Sequence, residues 1–192
     1  MNKEKTNRVL EYFDELFPDA YCELNHESDF QLLVAVMLSV EAVSQASLPE
    51  LEQDIKTIGL YRNKAKNLLA LSHVLIEQFD GIVPSDQKQL ESLPGVGRKT
   101  ANVVRSVAFD IPAFAVDTHV ERISKRLGFA KRDDNVLTVE KKLCRSIPRN
   151  RWNKSHHQFI FFGRYFCKAT NPSCTECKLF DMCKDPIKNK YL

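Results

Sequence analysis

Apolar residues recur along the chain at spacings of three and four, the period of helices that pack one face against a core. The first such stripe runs from Val9 to Phe17 and is ended by Pro18. Strand-like alternation is nearly absent from the whole sequence. The pattern therefore predicts an all-α protein.

Two capping boxes mark the starts of helices in the first third of the chain. Ser28 and Gln31 form one, and the helix that it opens, over residues 30–38, is apolar on nearly every side. We expect this helix to be the most buried in the protein. Ser47 and Glu50 form the second capping box and open a further helix.

The middle of the chain predicts two helices joined by a tight turn. A loop at residues 58–61 precedes a long helix that ends near Gly81, and Pro84 and Ser85 then start the first helix of the pair. The second is predicted to turn one apolar face inward: Val103, Val104, Val107 and Ala108. Ile111-Pro112 is the expected domain boundary. Later helices are predicted near residues 118–127, 135–146 and 154–166.

Composition and charge are those of a globular protein and do not indicate a bulk polycation. The 192 residues carry a formal net charge of only +3, so any nucleic-acid surface must be a local patch. The N-terminus lacks the apolar region of a signal peptide, and the longest apolar run, residues 32–38, is too short to span a bilayer. We therefore expect a cytoplasmic protein.

Four of the six cysteines are packed near the C-terminus as Cys-x6-Cys-x2-Cys-x5-Cys, at Cys167, Cys174, Cys177 and Cys183. In a reducing compartment such a cluster favours metal binding over disulfides. Zinc ribbons usually offer two Cys-x2-Cys pairs and this cluster offers one, so the irregular spacing suits a [4Fe–4S] cluster better, with zinc as the alternative. Cys22 and Cys144 are interpreted as buried hydrophobic residues.

The turn between the paired helices reads Leu93-Pro94-Gly95-Val96-Gly97-Arg98-Lys99-Thr100-Ala101-Asn102. Its glycines permit backbone conformations that side chains forbid, and the free N–H groups of the next helix suit a phosphate. Lys99, in the first turn, lies at the positive end of the helix dipole, which favours the neutral amine that attacks carbon. An ordinary turn with a solvated lysine is the alternative. A P-loop is excluded, since the Gly-x4-Gly-Lys-Thr spacing is absent.

A second stretch, Val116-Asp117-Thr118-His119-Val120, places Asp117 as the N-cap of a helix and as a candidate partner carboxylate for Lys99. Together with residues 93–101 and the C-terminal cysteines, it resembles the endonuclease III family of helix-hairpin-helix DNA repair glycosylases. The resemblance runs from about Glu23 to Cys183, with one gap.

The resemblance implies an architecture of two domains. A helical barrel over residues 22–111 would hold the helix-hairpin-helix, at about 86–109. Residues 1–21 and 112–192 would form the domain that carries the [4Fe–4S] cluster on the four C-terminal cysteines. Lys99 and Asp117 would then face each other across the cleft between the domains of a monomer.

The resemblance also implies an activity, that of a bifunctional DNA N-glycosylase/AP lyase acting on double-stranded DNA with oxidised pyrimidines or abasic sites. The enzyme would extrude the damaged nucleotide, because C1′ of the sugar is not reachable in a stacked duplex. Neutral Lys99 would attack C1′ and displace the base, with Asp117 activating the lysine and stabilising positive charge on the sugar. The resulting Schiff base would allow β-elimination.

The DNA-binding residues that the resemblance implies lie in three places. Leu60 would wedge into the base stack, and Lys168 would contact phosphates from the cluster loop. The remainder belong to the hairpin: Gly95, Val96, Gly97, Arg98 and Thr100. The alternatives are a core leucine at position 60 and a solvated basic tail made of Lys178, Lys184, Lys188 and Lys190. His156 and His157 are interpreted as packing or surface polar residues. Trp152 and residues 159–162 are interpreted as core, with a base-stacking platform as the alternative.

One stretch departs from the family pattern. The family carries Leu-Ser-Ala-Gln-Ala/Cys-Thr-Asp after the buried helix, whereas residues 38–44 here read Leu-Ser-Val-Glu-Ala-Val-Ser. The chain then reaches residues 58–60 early, as if one or two helices of the barrel were missing. A DNA-binding protein that has lost efficient catalysis through this shortening is therefore an alternative function. A zinc-stapled helical module is another, but it leaves the Lys99 and Asp117 segments unexplained.

Overall fold

The computed structural model describes residues 1–20 and 40–191. Its α-helices are α1 (Lys3–Leu16), α2 (Leu48–Asp54), α3 (Tyr61–Phe79), α4 (Gln87–Ser92), α5 (Arg98–Ala108), α6 (Thr118–Arg126), α7 (Val136–Ser146) and α8 (Trp152–Phe161). A π-helical turn at Phe162–Phe166 continues α8, and 3-10 turns lie at Arg149–Arg151 and Pro186–Tyr191. Residues 40–45 are also helical.

The described residues contain no β-strand, which confirms the all-α prediction. The capping box at Ser28, the helix at 30–38, residues 38–39 of the 38–44 segment and Cys22 lie outside the described residues. Within them, no helix is long and apolar enough to cross a membrane.

Side-chain caps fix where several of the described helices begin. The capping box predicted at Ser47 is confirmed, because its hydroxyl accepts from the backbone N–H of Glu50 and the Glu50 carboxylate accepts from the backbone N–H of Ser47. Asn2, Asp86 and Asn135 cap α1, α4 and α7 through their side-chain oxygens. Each cap satisfies backbone donors that have no partner inside the helix.

The chain forms two compact units. The terminal unit comprises Met1–Cys22 and Asp110–Leu192, and the central unit comprises Glu23–Phe109. The core of the terminal unit is built around Phe13 of α1, which meets Phe159 of α8 edge-on at 5.1 Å between ring centroids and Phe162 at 4.8 Å. All three side chains are fully buried, each worth about 1.5–3 kcal/mol relative to exposure. The interpretation of residues 159–162 as core is therefore right.

A polar network also ties α1 to α8 in the terminal unit. Asp14 accepts hydrogen bonds from Arg151 (2.8 Å), Lys154 (3.0 Å) and the amide of Gln158 (3.0 Å). Burial alone would raise the pKa of Asp14, but the hydrogen bonds from Gln158, Lys154 and Arg151 outweigh it and lower that pKa. The side of α1 that the core leaves uncovered is thus held by charge.

In the central unit, α2 packs on α3 and α4 packs on α5. The predicted inward face of α5 is partly wrong: Val104 is fully buried, but Val103 and Val107 are only half-buried and Ala108 is exposed. The buried side of the helix is rotated toward Ala101, because a small side chain allows close packing there.

Candidate active site and cysteine loop

The hairpin between α4 and α5 is closed by one short turn. Helix α4 is followed by Leu93, whose carbonyl accepts from the N–H of Val96 at 3.1 Å. Gly95 has φ +76°, and a Cβ added there would lie 2.8 Å from Cβ of Asn67 on α3. Glycine is therefore required at position 95 both by the backbone conformation and by the close approach to α3.

Gly97 differs from Gly95, contrary to the expectation that both glycines adopt conformations forbidden to side chains. Its φ of −88° is open to any residue, and an added Cβ would meet nothing within 4 Å. Gly97 is the N-cap of α5 and provides no side-chain hydrogen bond. The first-turn N–H groups of α5 therefore have no capping side chain, and the space beside Gly97 is open, which suits an anion.

The charged residues of this helix start lie at the surface. Lys99 and Arg98 are both exposed, and Arg98 forms an ion pair with Glu91 at 3.3 Å. Thr100 is half-buried, whereas Val96 is buried and anchors the turn. The first turn of α5 contains no acidic residue. Positive charge and N–H groups without a capping side chain thus lie at one end of the helix.

Leu60 lies beside the hairpin in the central unit. It precedes α3 with a left-handed backbone (φ 61°), and 78% of its surface is exposed, so the alternative of a core leucine is wrong. Leu60 lines a cavity of about 210 Å³ together with Asn67, Gly95, Val96 and Thr100. The structure therefore brings two sequence-distant groups of predicted DNA-binding residues to one groove.

Asp117 caps α6, as the sequence predicted. Its Oδ1 accepts from the N–H of Val120 at 2.7 Å, and its side chain is half-buried. The extended residues 113–116 before it are all buried and are held from α8 by two side chains. The Oδ1 of Asn153 accepts from the N–H of Ala113 at 3.2 Å, and Nδ1 of His156 donates to the carbonyl of Ala115 at 2.9 Å. His156 therefore helps to hold in place the segment that immediately precedes Asp117.

Two arginines on α6 join the Asp117 helix to the cysteine loop. Arg122 donates to the carbonyl of Gly163 at 2.7 Å, in the π-helical turn. Arg126, only 5% exposed, donates to Sγ of Cys167 at 3.3 Å, to the carbonyl of Lys168 at 2.7 Å and to Asp185 at 2.9 Å. Burial alone would lower the pKa of Arg126. The hydrogen bonds and the electrostatic attraction of Cys167 and Asp185 outweigh burial, and the pKa is raised.

Sequence reasoning missed Arg122, Arg126, Asn153 and His156 as organising residues. Arg122 and Arg126, which follow Asp117, are four residues apart. This spacing is a usable signal, because residues four apart share one face of a helix. Nothing in the sequence alone says that this face meets the cysteines, which lie about forty residues downstream in the chain.

The four C-terminal cysteines are half-buried, none is in a disulfide, and all four line one small cavity. Phe162, Phe166 and Phe180 form apolar parts of its wall. Burial, and then the neighbouring cysteines, raise the pKa of Cys177 to about 11. Among the residues that the structure describes, no three His, Cys, Asp or Glu side chains converge on the position of a single metal ion. Cys144 is half-buried against the core, apart from this cavity.

The basic C-terminal residues divide into two kinds. Lys178 pairs with Glu15 and lies over the ring of Tyr12, and Lys188 donates to the carbonyl of Phe180 at 3.2 Å. Both therefore serve the packing of the terminal unit. Lys168, Lys184 and Lys190 are exposed.

Comparison with known proteins shows which protein superfamily the chain matches. The profile of the HhH-GPD superfamily of base excision DNA repair proteins matches residues 2–149. Endonuclease III of Bacillus subtilis is 48% identical over 209 positions, covering 98% of this chain and 95% of the relative. Endonuclease III of Escherichia coli K12 is 42% identical and covers 96% and 97%, respectively.

Solved structures agree with these relatives. A non-covalent endonuclease III–DNA complex superposes with a TM-score of 0.90 at 47% identity, covering all of both chains. A trapped endonuclease III–DNA covalent intermediate gives 0.89 at 48% identity, covering 100% of this chain and 99% of the other. The chain therefore belongs to the endonuclease III family of the HhH-GPD superfamily, as the resemblance indicated.

The alignments also bear on chain length. The 209 aligned positions of the Bacillus subtilis relative exceed the 192 residues of this chain by seventeen, so at least that many have no counterpart here. The chain is thus shorter than its relatives, as the departure from the family pattern predicted.

Proposed function

We propose that this protein is a bifunctional DNA N-glycosylase/AP lyase of base excision repair. It excises oxidised pyrimidines from double-stranded DNA and cleaves the strand by β-elimination. The proposal rests mainly on Lys99, which lies at the uncapped start of α5. It is supported by the similarity of the whole chain to endonuclease III in complexes with DNA. Acting on chromosomal DNA, the protein works in the cytoplasm at the nucleoid.

The hairpin is the part of the central unit that binds the DNA backbone. The N–H groups at the uncapped start of α5 and the guanidinium of Arg98 bind a phosphate, and the open side of Gly97 lets the DNA backbone approach closely. Such contacts fix position and register rather than sequence. Lys168 adds a phosphate contact from the cysteine loop of the terminal unit.

Leu60 opens the base stack beside this backbone contact. A leucine that is 78% exposed costs no core packing when it inserts between bases, and wedging side chains unstack and kink a duplex. The wedge makes it easier for the damaged nucleotide to leave the stack, which brings C1′ of its sugar within reach.

Lys99 and Asp117 carry out the chemistry. The neutral amine of Lys99 forms a bond to C1′ while the C1′–N bond breaks and the base leaves with that electron pair. Asp117 accepts a proton from the lysine and stabilises positive charge on the sugar. The ring opens to a Schiff base between Lys99 and C1′. Loss of a C2′ proton then expels the 3′ phosphate and cuts the strand.

The four C-terminal cysteines suit a [4Fe–4S] cluster, the group that the endonuclease III family carries. A single zinc ion would draw four sulfurs to about 3.8 Å from one another, given Zn–S bonds of about 2.3 Å. The described side chains do not converge in that way, yet the four cysteines line one cavity with aromatic walls. We therefore propose Cys167, Cys174, Cys177 and Cys183 as the ligands of such a cluster, which stabilises the loop when bound.

Metal analysis tests this assignment. The wild type should be brown, with iron and acid-labile sulfide in equal amounts, and Cys174→Ser should lose the colour. Cys144→Ser is the matched control, because Cys144 packs against the core instead of lining the cavity, and it should keep the colour. A colourless wild type holding one zinc per chain would defeat the iron–sulfur proposal.

Borohydride trapping on abasic duplex DNA tests the enzyme itself. The wild type should be trapped as a covalent adduct, and Lys99→Gln should lose the adduct while still binding the duplex. Lys66→Gln, which removes an exposed lysine from α3 of the same unit, should be trapped normally. Normal trapping of Lys99→Gln would assign the nucleophile to another amine. The alternative of an inactive DNA-binding protein is not favoured, because relatives named endonuclease III match nearly the whole chain.

A further inference from the structure

A second concave surface, which we name the basic pocket, lies in the terminal unit where α6 ends. It encloses about 500 Å³, and its charged lining is formed by Lys125, Arg126, Lys131, Arg132, Lys184 and Asp185. Five cationic side chains thus share the pocket with one carboxylate. Neither the Schiff-base chemistry nor the hairpin uses any of them.

Only part of this charge is balanced within the protein. Lys125 pairs with Glu121 at 2.6 Å, and the buried Arg126 pairs with Asp185 at 2.9 Å. Lys131, Arg132 and Lys184 are exposed, and none of them has an ion pair within residues 1–20 and 40–191, the described part of the chain. The pocket therefore presents on its rim three positive charges that form no contact ion pair among the described residues.

Capping of the α6 dipole accounts for part of the charge but not for the rim. Cations near a helix C-terminus are stabilised by a partial charge of about −0.5. Lys125 and Arg126 lie in the last turn of α6 and satisfy that role. Lys131, Arg132 and Lys184 lie outside the helix, and their combined charge is several times larger than the dipole charge.

Nearby acidic residues neutralise the rim only in part: Asp134 attracts Lys131 and Asp185 attracts Arg132, but neither forms a contact ion pair with that cation. Asp134 is occupied, since it accepts from the backbone N–H of Lys131 at 2.6 Å and pairs with Lys142. Asp133 is exposed and does not line the pocket. The turn itself is held in place, because Gly128 (φ +79°) lets the N–H of Phe129 reach the carbonyl of Ser124 at 2.9 Å.

We propose that the basic pocket binds backbone phosphates of the same DNA duplex on which the enzyme acts, as a contact separate from the hairpin and from Lys168. The proposal rests on the DNA-repair function proposed above. The volume exceeds that of one phosphate group, and the rim cations come from two chain segments, which suits successive phosphates of a polymer better than one enclosed ion. Such a contact adds affinity without sequence preference.

Salt dependence of DNA binding gives the first test. The triple variant Lys131→Gln/Arg132→Gln/Lys184→Gln is compared with Lys3→Gln/Lys141→Gln/Arg149→Gln, which removes the same charges from exposed positions elsewhere in the terminal unit. Kd for a duplex with a reduced abasic site is measured over a salt series. Each lost phosphate contact should lower the slope of log K against log salt by about 0.9, so the pocket variant should lose about two to three units of slope and the control none.

Lysine acetylation read by mass spectrometry gives the location directly. Duplex DNA should protect Lys131 and Lys184 in the wild type and leave Lys141 reactive. Inorganic phosphate, at ionic strength matched with chloride, should not protect them. Equal protection by phosphate alone would make the pocket a small-anion site and overturn DNA as its occupant.

Trapping on abasic DNA in the same preparations separates the two proposals. Normal trapping of the wild type, with equal salt slopes for both triple variants and no protection of Lys131 or Lys184, would overturn the pocket and leave the enzyme function standing. Failure of wild-type trapping, with the slope difference and protection intact, would overturn the lyase and leave the pocket as a DNA contact. The control triple variant should be trapped at the wild-type rate, since its positions lie outside the pocket and the hairpin.

Discussion

Arg126 donates a hydrogen bond to Sγ of Cys167 across 3.3 Å. The same guanidinium holds the carbonyl of Lys168 and the carboxylate of Asp185, so one buried side chain fastens both ends of the cysteine loop to α6. Asp117 caps the other end of that helix. The packing of the cysteine loop and the placement of the proposed catalytic carboxylate therefore depend on a single short helix.

Replacing Arg126 by lysine should loosen the loop while keeping the charge, because an ammonium cannot reproduce the planar fork of donors. Each hydrogen bond from the guanidinium that the lysine cannot replace costs about 1.5–3 kcal/mol of unfolding free energy. We expect lower stability of the terminal unit by denaturant titration and faster loss of iron to a chelator. Arg149→Lys, at an exposed position, is the control. Iron loss at the same rate in both variants would remove Arg126 from this role.

Asp117→Asn separates the two roles of this residue. Asparagine caps a helix about as well as aspartate, so the unfolding free energy should change by less than about 0.5 kcal/mol. Base release and strand cleavage, measured in single-turnover assays, should both fall by several orders of magnitude, because the carboxylate charge is lost. Asp117→Ala should lose about 0.5–2 kcal/mol in addition. Near wild-type rates in Asp117→Asn would reduce Asp117 to a helix cap.

The two hairpin glycines provide a matched pair. Gly95→Ala should lower the unfolding free energy of the central unit by about 1–3 kcal/mol, because it forces a left-handed conformation and places a Cβ against Asn67. Gly97→Ala should leave stability nearly unchanged, since its backbone is extended and its side is open. Its effect should fall on DNA affinity instead. Equal melting temperatures for the two variants would contradict this description of the turn.

Leu60 has a strained backbone conformation, and its side chain gains little packing energy that could offset the strain. A leucine at φ 61° costs of order 1–3 kcal/mol, and the side chain is 78% exposed. Leu60→Asn should therefore melt no lower than the wild type, because asparagine tolerates this conformation. Excision of a damaged base should slow, whereas cleavage of an already abasic site, which has less to unstack, should slow less. A marked drop in melting temperature would make Leu60 a structural residue.

Local chemistry explains which features could be predicted from the sequence. The caps at Ser47 and Asp117 depend on residues three apart, and the need for Gly95 follows from its turn. These features could therefore be predicted from the sequence. The inward face of α5 was predicted only in part, since Ala101 gains its buried position from tertiary packing. The fastening of Cys167 by Arg126 joins residues 41 apart in sequence, and no periodicity marks such a pair. Pairing across the core is decided by the fold.

The Asp14 network gives the terminal unit a stability that depends on pH. The pKa of Asp14 is lowered in the folded chain, whereas an unfolded aspartate titrates near about 3.9. The ionised group therefore stabilises the fold at every pH above the unfolded value, and this stabilisation is lost as the pH falls through the lower, folded pKa. Because the side chain is 36% exposed and partly screened, its contribution is about 1 kcal/mol.

Asp14→Asn should consequently unfold at lower denaturant than the wild type at pH 7, and the difference should shrink as the pH falls below about 4. Its amide would face Arg151 and Lys154 without the charge that now holds them. The control is Asp133→Asn, an exposed aspartate of the α6–α7 loop, which should match the wild type throughout. Circular dichroism during denaturant titration, repeated over a pH series, measures both variants. A difference between Asp14→Asn and the wild type that persists unchanged to acid pH would show that shape, rather than charge, ties α1 to α8.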